Sequence, residues 1–75
     1  MLSGTIREHL RAVPFEPFVI QMNDGRRFEV PHPDFAALSP SGARLIIFRS
    51  DADDAAITLS TLLIASLEPM SRAAH

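Results

Sequence analysis

Apolar positions recur along this chain with two periods, and the change of period marks where a helix gives way to strands. Ile6, Leu10 and Val13 fall at i, i+4 and i+7, one stripe of a helix over about residues 5–13, with Arg7, Glu8 and Arg11 turned to water. Thr5 followed by Glu8 fits a capping box at its start, and Pro14 ends it. So short a helix is marginal alone in water, so it must pack on the rest of the chain.

From Phe18 the period becomes two. Phe18 to Met22 reads as a strand, Asn23-Asp24-Gly25 as a turn and Arg27 to Val30 as the returning strand. A two-residue turn would set Ile20 against Glu29 and Gln21 against Phe28, apolar against polar on both faces. A three-residue loop, a type I turn ending with Gly25 in the left-handed region, instead pairs Ile20 with Phe28, Phe18 with Val30 and Gln21 with Arg27. The buried face is then Phe18, Ile20, Met22, Phe28 and Val30, and the other face carries Val19, Gln21, Arg27 and Glu29.

Pro31 and Pro33 stop the second strand, and a bend or single helical turn there returns Phe35 and Leu38 to the core. Ser39-Pro40-Ser41-Gly42 makes another turn. Leu45-Ile46-Ile47-Phe48, within a strand from Arg44 to Arg49, is apolar on both faces and so predicts cover on both sides. Asp51-Ala52-Asp53-Asp54 reads as a solvated hairpin tip before a strand from about Ala56 to Leu59. After a break at Ser60-Thr61, Leu62 to Leu67 forms the last strand, closed by Glu68-Pro69, and residues 70–75 form a frayed tail. The class expected is mainly β (α+β): one domain over residues 1–75, with a short N-terminal helix followed by a small curled antiparallel sheet or open barrel of about five strands.

Composition sharpens this. Apart from ten alanines, 25 Val, Ile, Leu, Met and Phe residues supply the core, and a chain this short buries only about 60% of its unfolded surface. With no cysteine there are neither disulfides nor thiolate metal sites, and self-association becomes the favoured source of further buried area. The outward apolar side chains that one helix cannot cover, taken as Val19, Leu45, Ile47 and alternates from Leu62 to Leu67, are the expected contact surface. Seven arginines and no lysine stand against nine acidic residues, a net charge of −2, which does not suit a protein that coats nucleic acid without an arginine cluster. No apolar run approaches the length that crosses a bilayer and no signal peptide is recognisable, so the expected compartment is the cytoplasm.

Pro14-Phe15-Glu16-Pro17-Phe18, Asp24-Gly25-Arg26 and Val30-Pro31-His32-Pro33-Asp34-Phe35 together resemble a family of short uncharacterised bacterial proteins that shares this spacing over nearly the whole chain. That resemblance supports the fold unit and brings no activity with it. The order of helix, strand, Asp-Gly turn, further strands and a closing strand after a short break is also similar to the Sm-like barrels, including the Hfq-type RNA chaperones. In that resemblance Phe18 to Gly25 match the first strand and turn, and Thr61 to Pro69 the closing strand. Phe28-Glu29-Val30 stands where the Sm-like second strand carries glycine, and Ser60-Thr61 where the Hfq type carries Lys-His, so the RNA-binding residues do not carry over. The resemblance implies rings joined through strand edges.

Four residues remain as candidate binding positions. His32 with Asp34 could orient a proton or hold a metal, although a Pro-flanked His near an Asp reads first as turn chemistry. Arg26 and Arg27 form the only adjacent basic pair, suited to a carboxylate or phosphate partner unless neighbouring carboxylates engage them. His9 lies on the exposed side of the helix and His75 at the terminus, and Asp51, Asp53 and Asp54 lack the glycine and distal Glu of a calcium loop. Ser60, Thr61 and Ser66 have no His or Lys partner set by spacing, so no hydrolase triad is expected. The expectation is a noncatalytic, self-associating, macromolecule-binding module without a cofactor, a homo-oligomer through apolar strand surface with a protein partner. An Sm-like RNA-binding protein using Arg26, Arg27 or Arg44, and a small hydrolytic or metal-dependent activity at His32 and Asp34, are the alternatives.

Overall fold

A computed structural model describes residues 3–49 and 55–70. The chain is mainly β with a helix in front. α1 (Ser3–Arg11) leads into β1 (Phe18–Met22) and β2 (Arg27–Val30), and β3 (Ala36–Leu38) and β4 (Arg44–Phe48) follow. β5 (Ala56–Ser60) and β6 (Ile64–Pro69) close the chain. Among the described residues there are six strands rather than five, in two antiparallel sheets ordered β2-β1-β6 and β3-β4-β5. Two 3₁₀ turns, Pro33–Phe35 between β2 and β3 and Thr61–Leu63 between β5 and β6, carry the chain from one sheet to the other.

The helix begins earlier than its apolar spacing suggests. It runs over Ser3–Arg11, so Thr5 lies inside it rather than capping it, and the Thr5 carbonyl is 2.9 Å from His9 Nδ1. Ile6 is buried and Leu10 packs against the core, but Val13 is 95% exposed. Pro14 biases the residue before it away from helical geometry, and the stripe therefore ends one turn short. At its other end the helix packs on the β3-β4 turn, where a side chain at Gly42 would come within 2.6 Å of Ser3. His9 is half-buried rather than exposed, its ring edge-on to Phe18 at 5.3 Å.

The first hairpin has the register that alternation requires, Phe18 opposite Val30, Ile20 opposite Phe28 and Gln21 opposite Arg27. The Gly25 amide donates to the Met22 carbonyl at 3.0 Å, the Met22 amide to the Arg26 carbonyl at 2.8 Å, and Gly25 sits at φ +92. These bonds make a type I turn closed by a left-handed glycine and a bulge. On the core side Phe18, Ile20, Met22 and Val30 are buried and Phe28 half-buried. Val19, on the opposite face, is also buried, between Glu29 and Glu68 in register.

β6 shifts register where it meets β1, with Gln21 opposite Ser66 but Met22 opposite Ile64, leaving Ala65 as the extra residue. This bulge puts Ile64, the first residue after the 3₁₀ turn, against Met22 with both side chains buried. Thr61 is the buried polar residue of the core, and its Oγ1 donates to the Gly42 carbonyl at 2.8 Å, fastening the second corner to the β3-β4 turn.

The second sheet corrects the reading of the apolar run. Leu45 and Ile47 are core residues, opposite Leu59 and Ile57 on the inner face, and Ile46 and Phe48 are the outward pair. Among the described residues the core covers the inner side of β4, while on the other side Ile46 is half-buried and Phe48 39% exposed. β3 was not expected as a strand, because three residues between two turns are too few to show a period. The tail is also shorter than expected at its start: the Met70 amide donates to the Pro17 carbonyl at 3.1 Å. The Asp51, Asp53 and Asp54 tip and residues 71–75 lie outside the described residues.

Candidate functional site

The outer face of the β3-β4-β5 sheet follows from register. Ile46 lies between Ala37 and Thr58, Phe48 faces Ala56, and Arg44 faces Ser60. Ala37, Ala56 and Thr58 are exposed, Ile46 is half-buried and Phe48 is 39% exposed. Among the described residues this surface carries two large apolar side chains and Arg44 among small ones, with no carboxylate. Beyond β5, at the second corner, Leu62 is 79% and Leu63 52% exposed. Short 3₁₀ geometry explains them, since one turn of three residues buries only Thr61.

The candidate arginines sit at the hairpin tip and are engaged. Arg26 Nε lies 2.8 Å from Asp24 Oδ2, its backbone amide donates to Asp24 Oδ1 at 3.1 Å, and its guanidinium lies 5.8 Å from the Phe28 ring centroid. The amide bond first, with the guanidinium adding to it, holds the Asp24 carboxyl below its usual 3.8. Arg27 reaches Glu68 at 3.7 Å, diagonally across β1, and both side chains are well exposed. Such exposed pairs contribute little stability, and each sets a carboxylate beside a guanidinium that a phosphate would approach.

His32 and Asp34 flank Pro33 at the first corner. Both are exposed, and no hydrogen bond or ion pair joins them. The His32 ring instead tilts against Phe35 at 5.9 Å, and the His32 carbonyl accepts from the Phe35 amide at 3.1 Å. β2 separates this corner from the arginines at the tip by a strand length, about 3.3 Å per residue, so the four candidates do not converge. Among the described residues no group of three or more His, Asp or Glu is placed to hold a metal, and no helix is long and apolar enough to cross a membrane.

The fold also assembles a basic cleft of about 430 Å³ that the sequence pattern did not single out. Arg7 and Arg11, one turn apart on α1, line it with Leu10, facing Leu38, Ser39 and Pro40 of the β3-β4 turn. The i, i+4 spacing of two arginines on the polar side of the helix was the available signal. The opposite wall of the cleft comes from nearly thirty residues further along the chain and left none. Ser39 Oγ is committed locally, accepting from the Arg44 amide at 3.1 Å. A second cleft, of about 400 Å³, lies beside Glu8, His9 and Glu16. Comparison with protein-family models, curated proteins and solved structures finds no match to this chain.

Proposed function

We propose that the protein is a noncatalytic module that associates with copies of itself and binds a further macromolecule, working in the cytoplasm without a cofactor. The observation that carries this reading is the outer face of the β3-β4-β5 sheet, where Ile46 and Phe48 stand among Ala37, Ala56 and Thr58. An apolar sheet face on a chain with so small a core gains from association what a larger domain gains from its own interior. A protein surface suits it better than a polyanion, because Asp24 and Glu68 stand beside Arg26 and Arg27 and offset their charge, and Arg44 is the remaining member of the proposed RNA set. The His32 and Asp34 chemistry has less support, since the two side chains do not meet.

Light scattering over a concentration series tests the reading. The expected result is a mass at least twice 8.2 kDa, reduced by Ile46→Ser with Phe48→Ser. A mass of 8.2 kDa at every concentration overturns self-association. Salt-dependent binding of single-stranded RNA by the same sample would favour the nucleic-acid reading instead.

A further inference from the structure

Among the described residues the two sheets have edge strands β2, β6, β3 and β5, and three of them carry features that discourage pairing with another chain. β2 has Arg27 and Glu29 and runs into Pro31, and β6 ends in Glu68-Pro69. β3 is three residues long, set between Pro33 and Pro40. β5 has none of this protection: Ala56-Ile57-Thr58-Leu59-Ser60 contains no charge, proline or glycine, and Ile57, Thr58 and Leu59 suit an extended chain.

The hydrogen-bond parity of β5 shows what its free edge offers. The Arg49 amide donates to the Ala55 carbonyl at 3.0 Å and the Thr61 amide to the Ala43 carbonyl at 3.1 Å. Bonded pairs in an antiparallel ladder alternate, so Leu45 with Leu59 and Ile47 with Ile57 are the bonded pairs between those two. The backbone groups of Ala56 and Thr58, and the Ser60 amide, therefore point away from β4. Ile57 faces the core from this edge yet stays only half-buried.

We infer that β5 pairs antiparallel with β5 of a second copy about a two-fold axis through Thr58, joining two three-stranded sheets into one of six. This inference rests on the self-association proposed above and names how the copies meet. The axis sets Thr58 against the partner's Thr58 and Ala56 against the partner's Ser60, so the outward-pointing groups are the ones that bond, making about four new backbone hydrogen bonds. It sets Ile57 against the partner's Leu59, covering the edge of the core. No charged side chain of β5 is brought against its copy, so pairing buries none. Ile46 and Phe48 of both copies then share one continuous outer face, and a symmetric contact of this kind closes on itself.

A cysteine scan tests this in a chain that has no cysteine of its own. Bonded antiparallel neighbours stand about 5.5 Å apart at Cα, within disulfide reach. Thr58→Cys is expected to give a covalent dimer under mild oxidation by oxidised glutathione, and Ala56→Cys, which lies off the axis, is expected to remain uncrosslinked. Thr58→Pro removes an amide that faces the free edge and none that faces β4, so it is expected to return the mass to 8.2 kDa with the circular dichroism unchanged. If Thr58→Pro fails to fold, the cysteine pair decides the question alone. A wild-type oligomer in which Thr58→Cys does not cross-link overturns β5 pairing and leaves self-association standing, while a wild-type monomer overturns both.

Discussion

The two sheets each have three strands, and both turn one face to the same core, but their outer faces differ. On β2-β1-β6 the outward positions are Gln21, Arg27, Glu29, Ser66 and Glu68, with Val19 enclosed between two glutamates. On β3-β4-β5 they are Ala37, Arg44, Ile46, Phe48, Ala56, Thr58 and Ser60. The difference separates two demands on a sequence. The inner faces of both sheets obey the need to bury apolar area, which any small domain shares. The outer faces are free of that demand, so the first sheet turns charged and polar side chains outward, while the second turns out Ile46 and Phe48, the surface proposed above for association.

The largest effect contrasts two adjacent residues of β4. Leu45→Ala, on the inner face, is expected to cost about 2–5 kcal/mol, enough to unfold much of so small a domain, as thermal denaturation will show. Ile46→Ser, one position on, is expected to leave the melting temperature of the isolated chain nearly unchanged while weakening association. Equal destabilisation by the two would break the contrast between the faces.

The corners that join the sheets come next. Thr61→Val leaves the Gly42 carbonyl without the Oγ1 donor and is expected to cost about 1–3 kcal/mol in chemical denaturation. Gly25→Val forces a β-branched residue to positive φ at the tip of the first sheet, at a similar cost of about 1–3 kcal/mol. An unchanged melting temperature for Gly25→Val would contradict the turn geometry.

The charged face yields the smallest effects. Glu68→Gln removes the long, exposed contact with Arg27 and is expected to cost about 1 kcal/mol or less. Because Asp24 is held below 3.8 in the folded chain, its contribution is present above that value and lost as pH falls through the lowered one. Asp24→Asn is therefore expected to lower stability slightly near neutrality and to flatten the acid limb of the profile below about pH 4, where the two proteins converge. A loss of association in either variant would show that the charged face, and not the apolar one, is the contact surface.

What the sequence made legible follows the same division. The hairpin register was readable because Phe18, Ile20, Phe28 and Val30 alternate with polar residues around a turn that needs Gly25, and a one-residue slip would have inverted both faces. Leu45 to Phe48 offers no alternation, so the run announced a strand without saying which residues face inward, and the assignment of Leu45 and Ile47 to the outside was inverted. Val13 fitted the helical period but lies beyond the point at which Pro14 permits a helix. The division into two sheets and the bulge at Ala65 depend on corners that only tertiary packing determines. Of the candidate positions, Arg26 and Arg27 were located correctly at the hairpin tip. Their pairing with Asp24 and Glu68 was partly readable, since Asp24 is local in sequence and Glu68 is not.

The most direct test is residue-resolved amide hydrogen exchange across β5, recorded at low and high protein concentration. The amides of Ile57 and Leu59 face β4 and should be protected at both. Those of Thr58 and Ser60 face the free edge, and the account predicts that they gain protection as concentration rises and the second sheet meets its copy. If these two exchange at unprotected rates at every concentration while Ile57 and Leu59 stay slow, the edge remains in water and the second sheet is not where copies meet.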